Sequence, residues 1–495
     1  MPKLAELFDI PAARQIDARA SALLGDGGAA LMDQAGQAAW QCLLEQWPQA
    51  QRLCVVVGPG NNGGDGYVLA RLARQAGRAV HVLRLATDAA ATALARAALQ
   101  AWQDEGGEVA VFDGALSPAD VVVDALYGLG LNRAPTGEAA ALIEAVNQAG
   151  VPVLALDVPS GVDANTGAVP GSAVRASVTL QFIVCHQGLY TGAALEHVGA
   201  RRLAPLQLPD GADAQVTASA MPWQAPRLAG LLPARRANTH KGESGHVLCV
   251  GGNRGSGGAV MLASEAALRA GAGLVSVATQ ALHVAPLLAR LPEAMAHAVE
   301  DAQDLQALLA RAGVIAIGPG LGQDDWAREL WRQVLGSGTP LVVDADALNL
   351  LAAAPQPLHD AILTPHPGEA ARLLGVDTAT IQADRFTAAQ ALAERFGAVV
   401  VLKGAGSIIA APGQLPRVIA AGNPGMAVGG MGDLLTGIIA ALRAQGLDAF
   451  DAASSGALLH GLAGDAAASD GQRGLLPTDL LVPLRRLVNP EPRPA

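Results

Sequence analysis

The 495-residue chain is 51% hydrophobic and only 16% charged, enough to bury large cores and too apolar for a disordered chain. Its net charge of -11 comes without a basic run, so a nucleic-acid partner is not expected. No apolar, uncharged stretch is long enough to span a bilayer and the N-terminus reads as no secretory signal, so a cytoplasmic protein with no membrane partner is expected. The cysteines Cys42, Cys54, Cys185 and Cys249 lack the spacing of a disulfide framework or zinc site, and the three in apolar runs read as buried thiols.

In chain order, short β-branched runs alternate with alanine- and leucine-rich helical stretches. Strands are expected at Leu53–Val57, Ala79–Leu83, Val121–Val123 and Val153–Leu156, with helices at Tyr67–Ala76 and Thr136–Ala149. Apolar strands separated by helices argue for a parallel sheet covered on both faces, a Rossmann-like doubly wound α/β domain. Pro205, Pro209, Pro222, Pro226 and Pro233 then interrupt every helical pattern. A first domain over 1–212, a linker over 213–236 and a second domain over 237–495 are expected. The second half restarts the alternation, with strands at His246–Val250, Val275–Ala278, Val314–Ile317, Leu341–Val343, Ala361–Thr364 and Val399–Leu402. Its helices are expected at Gly258–Ala270, Gly368–Leu374, Ala383–Phe396 and Asp433–Ala444, giving a second α/β domain rather than a repeat of the first.

In the first half, GPGNNGGDG at 58–66 is a glycine-rich turn between a strand and a helix, a geometry that aims backbone N–H groups at an anion. Gly58, Gly60 and Gly63 match GxGxxG, but the next strand leads to Arg84 instead of an acid, so a hydride-transferring dinucleotide site is not indicated. A plain tight turn also fits. Asp124 and Asp157 each follow a strand, and ligands of open α/β sheets bind beyond the carboxyl ends of strands. One such Asp is often a helix cap; two beside an Asn-rich loop point to a site.

These segments, with Leu31-Met32-Asp33-Gln34-Ala35-Gly36 and DVPSGVDANTG at 157–167, resemble the NAD(P)H-hydrate epimerase family over roughly residues 10 to 205. The resemblance implies substrate contacts from Asn61, Asn62, Gly63, Gly64 and Asp65, from the loop of Gly128, Leu129, Gly130, Leu131, Asn132, Arg133 and Ala134, and from Asp157. It also implies potassium held by Asn62, Asp124 and Ser160, whose oxygens suit a hard cation. Asp33 stands where the family usually has Glu. His186 stands where a Lys usually precedes Gln-Gly-Leu, and neither is expected to touch these motifs. Asp157 is expected to assist proton movement while the C6 hydroxyl inverts; anchoring a ribose or nicotinamide group is its alternative role.

In the second half, Gly422-Asn423-Pro424-Gly425-Met426 and Gly429-Gly430-Met431-Gly432-Asp433 open a helix. Such a glycine cluster forms an anion-binding nest, and an Asp at the helix start can meet a hydroxyl beside a bound phosphate. Val399–Leu402 runs into Lys403-Gly404-Ala405-Gly406-Ser407, suited to nucleotide phosphate or ribose, although a strand-end Lys alone is often only solvated. Pro365-His366-Pro367-Gly368-Glu369 places a His and an acid at a helix start, where His366 fits a structural role equally. Asp344 and Asp346 suit indirect support of magnesium or helix capping.

This set, together with His240-Lys241-Gly242, Gly251-Gly252 and Gly257-Gly258-Ala259, resembles the ADP-dependent NAD(P)H-hydrate dehydratase family, a ribokinase-like fold, from roughly Asn238 to Arg485. By that resemblance Ala259, Gly320, His366 and Asp433 meet the substrate. Lys403, Gly404, Ala405, Gly406, Ser407 and Gly432 meet the adenine nucleotide, carried as ADP with Mg2+. Asp433 is expected to activate the C6 hydroxyl for phosphorylation. Together the halves imply repair of hydrated NADH and NADPH (NADHX and NADPHX): exchange of R and S forms, and dehydration of the S form with ADP cleaved to AMP and phosphate. Two rivals remain at this point. One is a ribokinase-class small-molecule kinase; the other treats the first half as a non-catalytic nucleotide-binding module. Alanine-rich helices lead to the expectation of a homo-oligomer.

Overall fold

A computed structural model describes residues 6–130 and 133–490 of the chain. The chain divides between Met221 and Pro222 into two compact units.

The first unit is built on a seven-stranded sheet in the order Val109–Val111, Ala79–Arg84, Arg52–Val57, Val121–Ala125, Val153–Leu156, Val178–Phe182 and Ala200–Ala204. Every pairing in it is parallel. In Arg52–Val57 every residue after the first is buried. That unbroken apolar run is what a strand covered by helices on both faces requires. The chain runs outward from Arg52–Val57 and returns on its other side at Val121–Ala125. The order therefore reverses between these two strands, and the crevice at their carboxyl ends is where doubly wound sheets take ligands. The helices Ile10–Leu24, Ala29–Gln46 and Ala93–Asp104 were not anticipated. Their alanine-rich sequences bury small stripes, such as Ala13, Ile16 and Ala20, that give only a weak periodic signal.

Several expected helix ends shift by a residue or two, and one moves further. The helix predicted from Tyr67 begins at Asn61, so the Asn-Gly-Gly-Asp run forms its first turns instead of a loop. Glycine normally weakens a helix, but here a side chain has no room. A Cβ on Gly63 would collide with the carbonyl of Gly58, and one on Gly64 would collide with Met32. Burial of this tight packing offsets the propensity cost of about 1 kcal/mol per glycine.

The second unit carries a ten-stranded sheet: Met221–Pro222, Arg417–Ile419, Ser407–Ala410, Val399–Leu402, Ala361–Leu363, Leu341–Val343, Val314–Ile317, His246–Val250, Leu274–Thr279 and Met295–Ala298. The run from Val399–Leu402 to Met295–Ala298 is parallel. Ser407–Ala410 and Arg417–Ile419 add an antiparallel edge. The Pro412-Gly413 step between them is the turn signal that could have revealed that hairpin. In the stretch expected as a linker, Trp223 and Leu228 are buried in this unit's core, and the Trp223 amide donates to Val418. Helix Met431–Ala444 packs against Gly257–Arg269, with Gly437 set against the Ala263 carbonyl. Among the described residues no helix is long and apolar enough to cross a membrane.

Candidate active sites

In the first unit, the crevice at the sheet reversal is a cleft of about 720 Å³. Asn61, Asn62, Asp65, Gly128, Leu129, Gly130 and Asp157 line it. Gly63 and Gly64 are buried and do not line it. Gly60 caps the helix without a side chain, so the first-turn amides remain available to an anion. Arg133 is exposed and Ala134 packs beside Gly171; neither lines the cleft. Leu131 and Asn132 lie outside the described residues.

Asp124 lies within its strand, not beyond it, and is 1% exposed. Its Oδ1 accepts from Ser160 Oγ at 2.6 Å and from the Leu126 amide at 3.2 Å; its Oδ2 accepts from the Ser160 amide at 2.8 Å. The Ser160 hydroxyl also accepts from the Tyr127 amide at 2.8 Å. Burial pushes the Asp124 carboxyl up to about 6 against the pull of the Ser160 hydroxyl and the two amides. Asn62 differs: its side-chain Oδ1 and Nδ2 are buried with no hydrogen-bond partner. A buried amide left unsatisfied costs about 1–3 kcal/mol, so Asn62 has unused capacity for a water or a ligand.

Asp157 turns the chain at the end of Val153–Leu156 with φ +65°, in the left-handed region. Asp tolerates that region better than most residues, yet it costs on the order of 1 kcal/mol. The turn brings its carboxylate to the cleft and against His186, whose Nε2 lies 2.7 Å from Asp157 Oδ1. This corrects the expectation that His186 touches none of the motifs. The two residues are remote in sequence, and the short strand Cys185–His186, paired with Leu7–Phe8, brings them together. Two further carboxyls face Asp157. Burial first, then the Asp157 charge, raises Asp65 well above the usual range. The same causes raise Asp17 on helix Ile10–Leu24, a cleft residue that sequence reasoning missed.

In the second unit, Gly430 adopts φ +96° and opens helix Met431–Ala444, placing Asp433 in the first turn. A side chain at Gly432 would lie 3.3 Å from Lys403 Nζ, so the lysine sits directly against the nest. Lys403 Nζ donates to Asp344 Oδ1 at 2.8 Å and lies 3.8 Å from Glu369 Oε2. Burial opposes its charge, but Asp344, Glu369 and Asp433 outweigh that and hold the ammonium above its usual range. Burial, then the Asp344 carboxylate, pushes the Asp433 carboxyl up to about 7 against the pull of Lys403. A carboxyl so tuned can take a proton near neutral pH.

Of the two roles weighed for Asp344, side-chain capping is overturned. It occupies the N-cap position of Ala345–Ala353 but makes no side-chain cap bond. Its Oδ2 instead accepts from Thr436 Oγ at 2.8 Å, and Asp346 accepts from the Gly322 amide at 2.8 Å. His366 does cap its helix: Nδ1 accepts from the Gly368 and Glu369 amides at 3.0 and 3.3 Å, while Glu369 Oε2 accepts from the His366 amide. Gly320 approaches Ala259 and Ser256, so two of the expected substrate contacts are neighbours. Ser407 Oγ folds back on Gly404, donating to its carbonyl at 3.1 Å.

Residues 28–188 match the family described as YjeF-related protein N-terminus, and residues 247–486 the family described as NAD(P)H-hydrate dehydratase. The chain is 47% identical to a bifunctional NAD(P)H-hydrate repair enzyme of Coxiella burnetii, over 93% of its own length and 95% of that protein's. This chain belongs to the bifunctional NAD(P)H-hydrate repair enzyme family. A member from Escherichia coli is 44% identical over 93% of this chain and 90% of its own. Among solved structures, a ribokinase-like superfamily protein of Enterococcus faecalis superimposes with a TM-score of 0.50 and 33% identity, covering 54% of this chain and 94% of its own. A Streptococcus mutans protein gives 0.51 and 32%, with coverages of 54% and 99%. The second unit is thus ribokinase-like, as its nest suggested.

Two groups in the second unit escaped the sequence reading of this family member. Arg385 is 1% exposed and donates to the carbonyls of Leu402 and Lys403, supporting the Lys403–Ser407 turn from below. Burial brings its guanidinium down to about 10. His460 bonds a backbone group of Met431 in the nest, and burial lowers its imidazole to about 4, so it is neutral at physiological pH. Neither lies in a motif; each is an isolated residue on a helix.

Proposed function

We propose that this chain repairs hydrated NADH and NADPH, exchanging the R and S hydrates in the first unit and dehydrating the S form with ADP in the second. The observation that carries the reading is the pairing, in one chain of this family, of a cleft built around Asp157 with a nest that holds Asp433 beside Lys403.

In the first unit Asn61, Asn62, Asp65, Gly128, Leu129, Gly130 and Asp157, which line the cleft, bind the hydrate. Asp157 accepts and returns the proton that moves as the C6 hydroxyl inverts. Asn62, Asp124 and Ser160 supply the oxygens for potassium, and the unpartnered Asn62 carbonyl fits that donor set. When bound, the ion adds positive charge that draws substrate oxygens to the site.

In the second unit Ala259, Gly320 and His366 position the hydrate beside Asp433. Asp433 takes the C6 hydroxyl proton as that oxygen attacks the β-phosphorus of ADP and AMP departs. The C6–O bond then breaks, phosphate leaves with the bonding pair, and an adjacent ring proton leaves as the double bond returns. The Gly429–Gly432 amides hold the charge that develops on the transferred group. Lys403 to Ser407 and Gly432 hold the nucleotide. Asp344, Glu369 and Asp433 surround Lys403, and Asp346 lies near Asp433, an acidic setting that suits Mg2+ arriving with the phosphates. The ion supplies charge neutralisation there. Self-association of the chain is part of the same reading.

The test mixes the full chain with R and S NADH hydrate, magnesium, potassium and either ADP or ATP, and follows return of the reduced-nicotinamide absorbance to completion. Full recovery with ADP is expected. Recovery that slows to the spontaneous epimerisation rate removes the first activity. No recovery with either nucleotide overturns the reading and favours a small-alcohol kinase.

A further inference from the structure

The carboxylate of Asp157 is held unequally. Oδ1 receives His186 Nε2 at 2.7 Å and the Phe182 amide at 3.4 Å. Oδ2 faces the other way, 3.5 Å from where a Cβ on Gly128 would stand, on the wall of the cleft. Gly128 in turn abuts the Asn62 side chain, at 3.3 and 3.4 Å by the same measure. One carboxylate oxygen is therefore anchored and the other is presented to whatever enters.

His186 is built for that anchoring. It is 1% exposed, and its amide donates to the Oε1 of fully buried Gln181 at 2.7 Å. An ionised carboxylate can only accept, so Nε2 carries the shared hydrogen. The Nδ1 of His186 is buried with no hydrogen-bond partner. Asp17 and Asp65 both lie close enough to interact with the Asp157 charge, and both line the cleft. Two neighbouring carboxyls push against this side chain, and the His186 hydrogen bond fixes its direction.

We infer that His186 is the positioning residue of the epimerising cleft: by binding one oxygen of Asp157 it aims the other at the reacting hydroxyl of the hydrate. The inference rests on the reading of that cleft as the epimerase site. A carboxylate free to rotate in its left-handed turn presents its reactive oxygen only part of the time, so its loss is read in turnover and not in binding.

The test uses the full chain with His186→Leu and His186→Lys, the second restoring a donor of the type usual at this position in the epimerase family. Epimerisation of the R hydrate is followed in each, with kcat and KM separated and hydrate binding measured by calorimetry. In His186→Leu, kcat is expected to fall at least about tenfold while KM and binding stay within about twofold. In His186→Lys, kcat is expected to return to within about threefold of the parent chain. An undiminished kcat in His186→Leu overturns the inference. Equal slowing in both variants, with or without loss of binding, also overturns it, because the position then serves packing alone. If the parent chain itself fails to epimerise, the reading of the cleft falls first and this inference with it.

Discussion

Each unit sets one aspartate at its candidate site, and the two are prepared in different ways. Asp157 leaves a strand in a left-handed conformation, and a buried histidine fixes one of its oxygens. Asp433 sits in the first turn of a regular helix, where burial and neighbouring acids raise it to about 7. The first arrangement controls direction and the second controls proton affinity. The difference suits the proposed reactions. Inverting a carbon needs a group aimed along the path of the moving proton. Activating a hydroxyl toward phosphorus needs a base matched to neutral pH, with a lysine and a nest to hold the phosphate.

The sharpest way to break this comparison is Asp433→Ala. Dehydration of the S hydrate is expected to fall on the order of 1000-fold, while ADP binding by calorimetry stays close to the parent value. Turnover that survives in this variant removes Asp433 as the base. Asp157→Asn comes next. Epimerisation is expected to slow on the order of 100-fold with dehydration of pure S hydrate untouched, because the amide keeps the shape and loses the base. A variant that epimerises at the parent rate leaves Asp157 only its anchoring role.

The pH profile separates the two devices without mutation. Below pH 7 the raised carboxyl of Asp433 holds its proton and cannot act as base. Dehydration is therefore expected to climb about tenfold per unit up to about pH 7 and then level. A dehydration rate flat from pH 5 to 8 contradicts the tuning described for Asp433.

Two smaller effects probe the supports. Gly63→Ala forces a Cβ toward the Gly58 carbonyl, and the packing strain is expected to cost roughly 1–3 kcal/mol. Its reading is a lower melting transition of the first unit with weaker hydrate binding; unchanged melting contradicts the packing argument. Thr436→Val removes the hydroxyl that donates to Asp344, at an expected cost of about 1 kcal/mol. A fall of roughly 2–4 °C in the second unit's melting temperature checks it.

Much of this architecture was legible in short stretches of chain. Val153–Leu156, His246–Val250, Val314–Ile317, Leu341–Val343 and Val399–Leu402 read as buried parallel strands because unbroken β-branched runs admit few other fates. The nests were legible because glycine clusters at helix starts are local features whose geometry follows from the absence of a side chain. Helix ends were less legible. The Asn61 start was misplaced because glycine's poor propensity argues for a loop, and only the lack of space around Gly63 and Gly64 makes a helix of it.

The sequence by itself determined two doubly wound units, the strand ends that carry Asp157 and Lys403, and the helix whose first turn carries Asp433. Tertiary structure alone decided who holds whom. His186 meets Asp157 across 29 positions, Lys403 meets Asp344 across 59, and Thr436 meets Asp344 across 92. Such pairs follow from strand order, register and the turn after each strand. Those are set by packing of the whole sheet, and no period or motif in the chain encodes them.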